Sequence, residues 1–287
     1  MTRCAIINAD DFGLSPGVNR GIVSAFREGV LTSTTMLVNL EHFEDAVRLA
    51  RENPDLPVGI HLSLLWGKPV SPAADVSTLV ASDGCFPRSL STLAKRYFLG
   101  RLSLDHVKLE FRNQIRAFVD AGLKPTHVDT HKHVHCLSGI LDGVISAARE
   151  FGIDKVRLPG EEPLRAGQDG RRMPRGSWTM EGKRRLIRFL CRGARDRLRA
   201  AGMRSTDHFA GIAHMASLNS DVLNRILSNL RVGTTEIMCH PGYVDEHARR
   251  YSSAPPHREA ELASLKDPRV KDCIDAGSIR LIHYGAI

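Results

Sequence analysis

No apolar run in the 287-residue chain approaches the roughly 18 residues of a membrane-spanning helix. The start, MTRCAIINADDFG, passes straight into a strand-like run, without the charged, apolar and small-residue succession of a secretory leader. Together these absences predict a cytoplasmic protein. CxxC is absent too. The six cysteines (Cys4, Cys85, Cys136, Cys191, Cys239 and Cys273) are scattered, which excludes a disulfide scaffold and predicts reduced, mostly buried thiols. Cys136 and Cys239 adjoin histidines, where a ligand role is the alternative to apolar filler. The chain lacks a general basic character as well. Its net charge is +8, but thirteen Lys or Arg against three acids fall between Arg165 and Arg204. A nucleic-acid binder would also need aromatic or base-reading elements, so no nucleic-acid partner is expected. There is no internal repeat and no dividing linker. With 42% hydrophobic and 25% charged residues the chain can bury a full core, and residues 1–287 read as one domain.

What is present alternates. Short apolar, β-branched runs at 3–8, 34–39, 56–64, 155–159, 207–213 and 235–243 are strand candidates. Helical patterns over 18–28, 42–52, 105–121, 139–151, 179–201 and 219–230 separate most of them, and the C-terminal stretch adds two helices and a last strand. That order predicts an α/β fold with a largely parallel sheet, in which catalytic groups collect at the C-terminal strand ends. Residues 66–105 form a long excursion beside the cleft. Residues 160–177 read as a loop, and the basic segment at about 160–204 as a helical insertion.

Chemistry-bearing residues sit at the predicted strand ends. Asp10 and Asp11 follow the first strand. Neighbours leave a strand in opposite directions, so one can ligate a metal while the other handles a proton; capping the next helix is the alternative. His61 lies inside the third strand, as a ligand or as a hydrogen-bonded core residue. The stretch HVDTHKHVH (127–135) places His127, Asp129, His131, His133 and His135 at every second position, one face of a strand. Helical spacing would instead pair only His131 with His135, and Lys132 replaces the Glu that an HExxH site needs. One carboxylate and two imidazoles suit zinc and tolerate other divalent ions. His240 precedes Pro-Gly at another strand end, as a proton donor or a cap. Arg157 could bind a substrate oxygen, orient Asp10, or snorkel to solvent.

NADDFGLS (8–15), GIHL (59–62), PTHVDTHKHVH (125–135) and CHPGY (239–243) resemble the YdjC-like carbohydrate deacetylases, whose members include chitooligosaccharide deacetylase and a deacetylase associated with hopanoid biosynthesis. LTSTTMLVN (31–39) and REAELASL (258–265) extend the resemblance over most of the chain. It implies an irregular (β/α) barrel similar to the polysaccharide deacetylases, in a single domain. It further implies one divalent metal ion, Zn2+ or Mg2+, and removal of the N-acetyl group from an N-acetylglucosamine-type sugar. The family's ligands would fall on Asp11, His61 and His131, the catalytic base on Asp10 and the acid on His240. Arg157, His133 and His135 are then the substrate-binding candidates, and His127 and Asp129 brace the site. Family members resemble homodimers, so a homodimer is a further expectation. A metal-dependent hydrolase of an ester or phosphoester and a non-catalytic sugar-binding protein are the rival readings.

Arg185, Arg188, Arg192, Arg195 and Arg199 recur at spacings of 3, 4, 3 and 4, one face of a basic helix over 183–199. A solvated face is one reading. Peripheral contact with anionic lipid at the inner face of a membrane is the other, which would suit a glycolipid substrate where a solvated face suits a soluble sugar.

Overall fold

Arg3–Phe12 forms the first strand, β1, an apolar run buried from Ala5 onward, as expected of a strand covered on both faces. The computed structural model to which it belongs describes residues 2–163, 178–215, 217–251 and 256–287. Most of the loop expected over 160–177 therefore lies outside the described residues. After β1 the Ser15 hydroxyl accepts the Val18 N–H at 3.1 Å and Pro16 opens α1 (Pro16–Glu28), a capped start with proline where no N–H is needed.

The chain continues with β2 (Ser33–Met36), α2 (Phe43–Glu52) and β3 (Val58–Leu62), then a long excursion carrying α3 (Leu90–Phe98). There follow α4 (Leu104–Asp120), β4 (Val128–Thr130), a 3-10 turn over His131–Cys136 and α5 (Ser138–Glu150). Two basic helices, α6 (Trp178–Leu190) and α7 (Ala194–Ala200), lead to β5 (His208–Ala210), α8 (Ser220–Ser228) and β6 (Gly233–Cys239). The chain closes with α9 (Glu246–Tyr251), α10 (Pro256–Leu265), α11 (Pro268–Ala276) and β7 (Ile279–Leu281).

All seven strands belong to one parallel sheet, in the order β4-β3-β2-β1-β6-β5 with β7 also on β1. The sheet curls into an irregular half-barrel within a single α/β domain. Parallel pairing puts every C-terminal strand end on one rim, so β1, β3, β4 and β6 deliver their last residues to the same place.

Two elements differ from the sequence reading. Residues 155–159 pair only through single bridges, Val128 with Val156 and Lys155 with Arg204; Pro159 has no N–H to extend a ladder. The basic helix expected over 179–201 breaks at 191–193, where Gly193 interrupts it. Of the five arginines expected on one face, Arg185, Arg188, Arg192 and Arg199 are exposed and Arg195 is half-buried. Arg184 is buried against Glu181 and the Glu161 carbonyl, and Arg195 donates to the carbonyls of Thr206 and Asp207.

Candidate metal and catalytic site

β1 ends irregularly. Its register with β2 shifts between Ala9 and Phe12, and Asp11 adopts a left-handed backbone with φ 72°, which costs a non-glycine residue about 1–2 kcal/mol. In a regular strand Asp10 and Asp11 would point to opposite faces. The bulge lets both carboxylates reach the surroundings of His61, which comes from the middle of β3.

β4 stops after three residues. Lys132 and His133 are both left-handed, with φ 53° and 58°, so strand period holds only as far as Thr130. Among the described residues five non-glycine residues have positive φ, and four of them, Asp11, Trp66, Lys132 and His133, surround this cleft. Such strain is typical of a functional site held in place by its surroundings.

Asp11 Oδ1 lies 3.2 Å from His131 Nδ1 and 3.7 Å from His61 Nε2, and the two imidazole nitrogens are 3.3 Å apart. The three residues are buried, and Asp11 Oδ1 finds no well-directed hydrogen bond. Each of two ligands is steadied from behind: His61 Nδ1 meets Asp129 Oδ1 at 2.6 Å, and Arg258 Nη2 donates to Asp11 Oδ2 at 2.5 Å. That backing turns His61 Nε2 and Asp11 Oδ1 toward His131. An orphaned buried oxygen beside two convergent imidazoles fits a divalent ion with positions left for water and substrate. Burial disfavours charge on Asp11 and His61, but their partners outweigh it; at His131 burial prevails and lowers it. Arg258 and His131 hold the Asp11 carboxyl well below its usual range. Asp129, Asp10 and Asp11 raise His61 to about 9.

Asp10 stands beside this triangle. Arg157 grips it with Nη1 to Oδ2 and Nη2 to Oδ1, both at 2.7 Å. The same guanidinium contacts Asp129 Oδ2 and donates through Nε to Glu236 at 2.8 Å. Tyr284 hydroxyl donates to the other Glu236 oxygen. Burial works against the Asp10 charge, yet Arg157 and His61 keep its carboxyl far below the ordinary value. Arg157 itself has 0% exposure, so the structure places it behind Asp10 rather than at the cleft surface.

The remaining histidines separate. His133 lines the cleft, while His135 is tied inward, with Nδ1 2.5 Å from Thr130 Oγ1 and Nε2 3.0 Å from the Arg157 carbonyl. His127 stacks on Tyr284 at 3.7 Å; a Cβ on Gly59 would come within 2.4 Å of its ring, so β3 needs glycine there. His240 lines the cleft, and its backbone N–H donates to Glu261 Oε2 at 2.5 Å. Burial is the main force lowering His240 to about 4 and raising Glu261 to about 8.

These groups open into a cleft of about 380 Å³, bounded by Trp66, Lys132, Lys183, Tyr251 and Arg258. A larger cavity of about 840 Å³ lies among Arg188, Arg192, Arg195 and Arg231 and contains none of the catalytic candidates. Arg258 and Glu261, both on α10, were missed in the sequence reading, although their i,i+3 spacing in REAELASL sets them on one helix face.

Acid stability follows from the buried neutral imidazoles. Burial lowers His127 to about 3, and His135 and His240 to about 4. Their depressed values contribute stability that is present above the unfolded value of about 6.5 and lost as pH falls through the folded values. Glu161, Glu236 and Glu261, raised to about 7, about 6 and about 8, act oppositely, but His131, His133 and His214 are lowered as well, so the six lowered histidines outnumber the three raised carboxyls below pH 6.5. The melting temperature of metal-free protein should fall steadily from about pH 6.5 to about pH 4.5; a flat profile would contradict the buried neutral state.

Residues 4–276 match the YdjC-like protein family. A carbohydrate deacetylase of Clostridium beijerinckii is 33% identical over 281 residues, covering 97% of this chain and 98% of its own length. A chitooligosaccharide deacetylase of Salmonella paratyphi B is 34% identical over 278 residues, covering 96% and 95%. Among solved structures, an Enterococcus faecalis V583 protein described as a cellobiose-phosphate cleavage protein aligns with TM-score 0.78 at 27% identity, covering 100% of this chain and 99% of that one.

Proposed function

Because the chain belongs to the YdjC-like protein family, we propose that it is a metal-dependent carbohydrate deacetylase that hydrolyses the N-acetyl group of an N-acetylglucosamine-type sugar. The observation that carries the reading is the convergence of Asp11, His61 and His131 beside an Arg157-bound Asp10. Asp11 Oδ1, His61 Nε2 and His131 Nδ1 would hold the ion, and two imidazoles favour zinc over magnesium. When bound, such an ion polarises an acyl carbonyl and makes a nearby water more acidic.

The chain's own groups do the rest. Asp10 is ionised and lines the cleft; its Oδ1 is taken up by Arg157 and Asn8, while Oδ2, which accepts a single Arg157 N–H, keeps a lone pair free. It takes the proton of the attacking water. His240 would relay a proton to the departing amine nitrogen from Glu261, whose Oε2 lies 4.0 Å from the imidazole Nδ1, and the proton left on Asp10 returns through solvent to Glu261. Water adds to the amide carbon, the C–N bond breaks, and acetate and a free amino sugar leave. Trp66 and Tyr251, with rings 5.6 Å apart, give the cleft an aromatic wall for a sugar face.

A two-metal phosphoester mechanism is less well supported. The second carboxylate-imidazole group, Asp10, His61 and Asp129, is bridged by Arg157, whose guanidinium takes the space and charge a second ion would need.

For the substrate's carrier, α6 supplies a motive. Trp178, Leu186 and Phe189 are 85%, 58% and 59% exposed beside Arg185 and Arg188, while Lys183 of the same helix lines the cleft. No helix among the described residues is long and apolar enough to cross a membrane. An amphipathic face of this kind suits an anionic lipid surface, and hence a lipid-linked sugar. Mass spectrometry of soluble N-acetylglucosamine oligomers and of a lipid-linked N-acetylglucosamine in anionic vesicles tests both levels. Loss of one acetyl group per turnover is expected, faster on the vesicle-borne substrate. No acetyl loss from any member would defeat the deacetylase reading, and preference for the soluble oligomers would defeat only the lipid one.

A further inference from the structure

We propose a second metal site on this chain, formed by His42, His247 and Glu41 and suited to a zinc-like transition-metal ion. It is separate from the Asp11–His61–His131 group and does not depend on the reaction proposed above.

His42 sits immediately before α2, and His247 is the second residue of α9. The two rings meet edge to face with centroids 4.4 Å apart. One ring nitrogen from each and one Glu41 carboxylate oxygen lie within 4.8 Å of one another. His42 Nε2 and His247 Nδ1 are both shut off from solvent and have no hydrogen-bond partner among the described residues. A buried ring nitrogen is ordinarily satisfied, so two orphans side by side call for something between them.

Neither side chain has an evident fold role that would account for this. His42 occupies the position before α2 without capping it through its side chain; its structural contacts run through its carbonyl, which accepts from Asn19 Nδ2 at 3.3 Å and the Ala46 N–H at 3.1 Å. The surroundings favour a cation. Asp45 and Asp245 lie within electrostatic reach of the His42 and His247 rings respectively. Two imidazoles and one carboxylate, with outward positions left for water, suit Zn2+, Ni2+ or Cu2+ and not the oxygen-seeking Mg2+. Glu41 is exposed, so the ion can enter from solvent.

Occupation would tie α9 to the start of α2. α9 ends in Tyr251, whose ring stands 5.6 Å from Trp66, and Trp66 stands 4.5 Å from His131. The rim ion would thus fix the wall of the cleft without touching the reacting atoms.

Chelator-stripped full-length protein titrated with zinc chloride by calorimetry, with metal content measured after gel filtration, tests the site. The natural sequence should bind one zinc ion more per chain than His42→Gln/His247→Gln, whatever the occupancy of the Asp11–His61–His131 group. Either single substitution should weaken the lost site by at least about ten-fold. Magnesium chloride should fill no site at the rim. Equal zinc counts in the natural sequence and the double variant would overturn the proposal. Should the double variant fail to fold, His247→Gln alone decides: loss of one zinc relative to the natural sequence supports the rim site, and an unchanged zinc count and affinity refutes it.

Discussion

Asp10→Asn protein should bind zinc with near-native affinity and turn over about 10²–10⁴-fold more slowly, the usual span for loss of a general base. The separation of the two readouts is the useful part. Asp10 is outside the Asp11–His61–His131 triangle, so the ligands remain. Asparagine keeps the shape and one acceptor oxygen for the Arg157 fork, while Asn8 Nδ2, which donates to Asp10 Oδ1 at 3.0 Å, faces an amide instead. The folded state should survive at some cost in stability, and kcat should fall with little change in KM. A variant that retains the natural kcat would remove Asp10 from the mechanism. Asp11→Asn should show the converse pattern, with metal affinity falling first.

The second large effect is on folding. Replacing Arg157 with methionine should destabilise the protein by about 3–5 kcal/mol, the cost of leaving buried charge without its partner. Urea unfolding measures it. Asp10, Asp129 and Glu236 have exposures of 2%, 0% and 0%, and one guanidinium serves all three. Burial already pushes Glu236 up to about 6 against the pull of Arg157, so without that cation the carboxylates would be forced to take up protons or water. Adding Glu236→Gln to the Arg157→Met background should recover part of the loss, because it removes one of the stranded charges. The two changes share a contact, and their effects should not add. If Arg157→Met unfolds like the natural protein, the guanidinium is not holding this cluster together.

Asp10, Asp11, His61, His131 and His240 were legible because each follows or ends an apolar run, and a parallel sheet turns that linear position into a shared rim. The shape of HVDTHKHVH was half legible. Its alternation suggests a strand throughout, but Lys132 and His133 reverse the backbone by adopting left-handed conformations that no side-chain pattern announces. Arg157 shows the limit differently. Its strand-end position admitted three destinations, and the choice among them lies in partners 147 and 79 residues away, Asp10 and Glu236. The break between α6 and α7 turns on the single flexible residue Gly193, whose penalty is small enough for either outcome. Arg258 and Glu261 were hidden for another reason: in a helix rich in charge, nothing local says which face meets a cleft.

The bulge at position 11 narrows which amino acids this catalytic rim can use. Function asks there for an anionic oxygen, and the backbone asks for φ near 72°. Asparagine and aspartate visit that region with help from their short polar side chains, and longer or β-branched residues do so far less readily. Glutamate would satisfy the ion but not the backbone; asparagine would satisfy the backbone but offer a weaker donor. Aspartate alone meets both demands. A saturation library at position 11 should accordingly yield folded proteins with Gly or Asn and active ones with Asp alone.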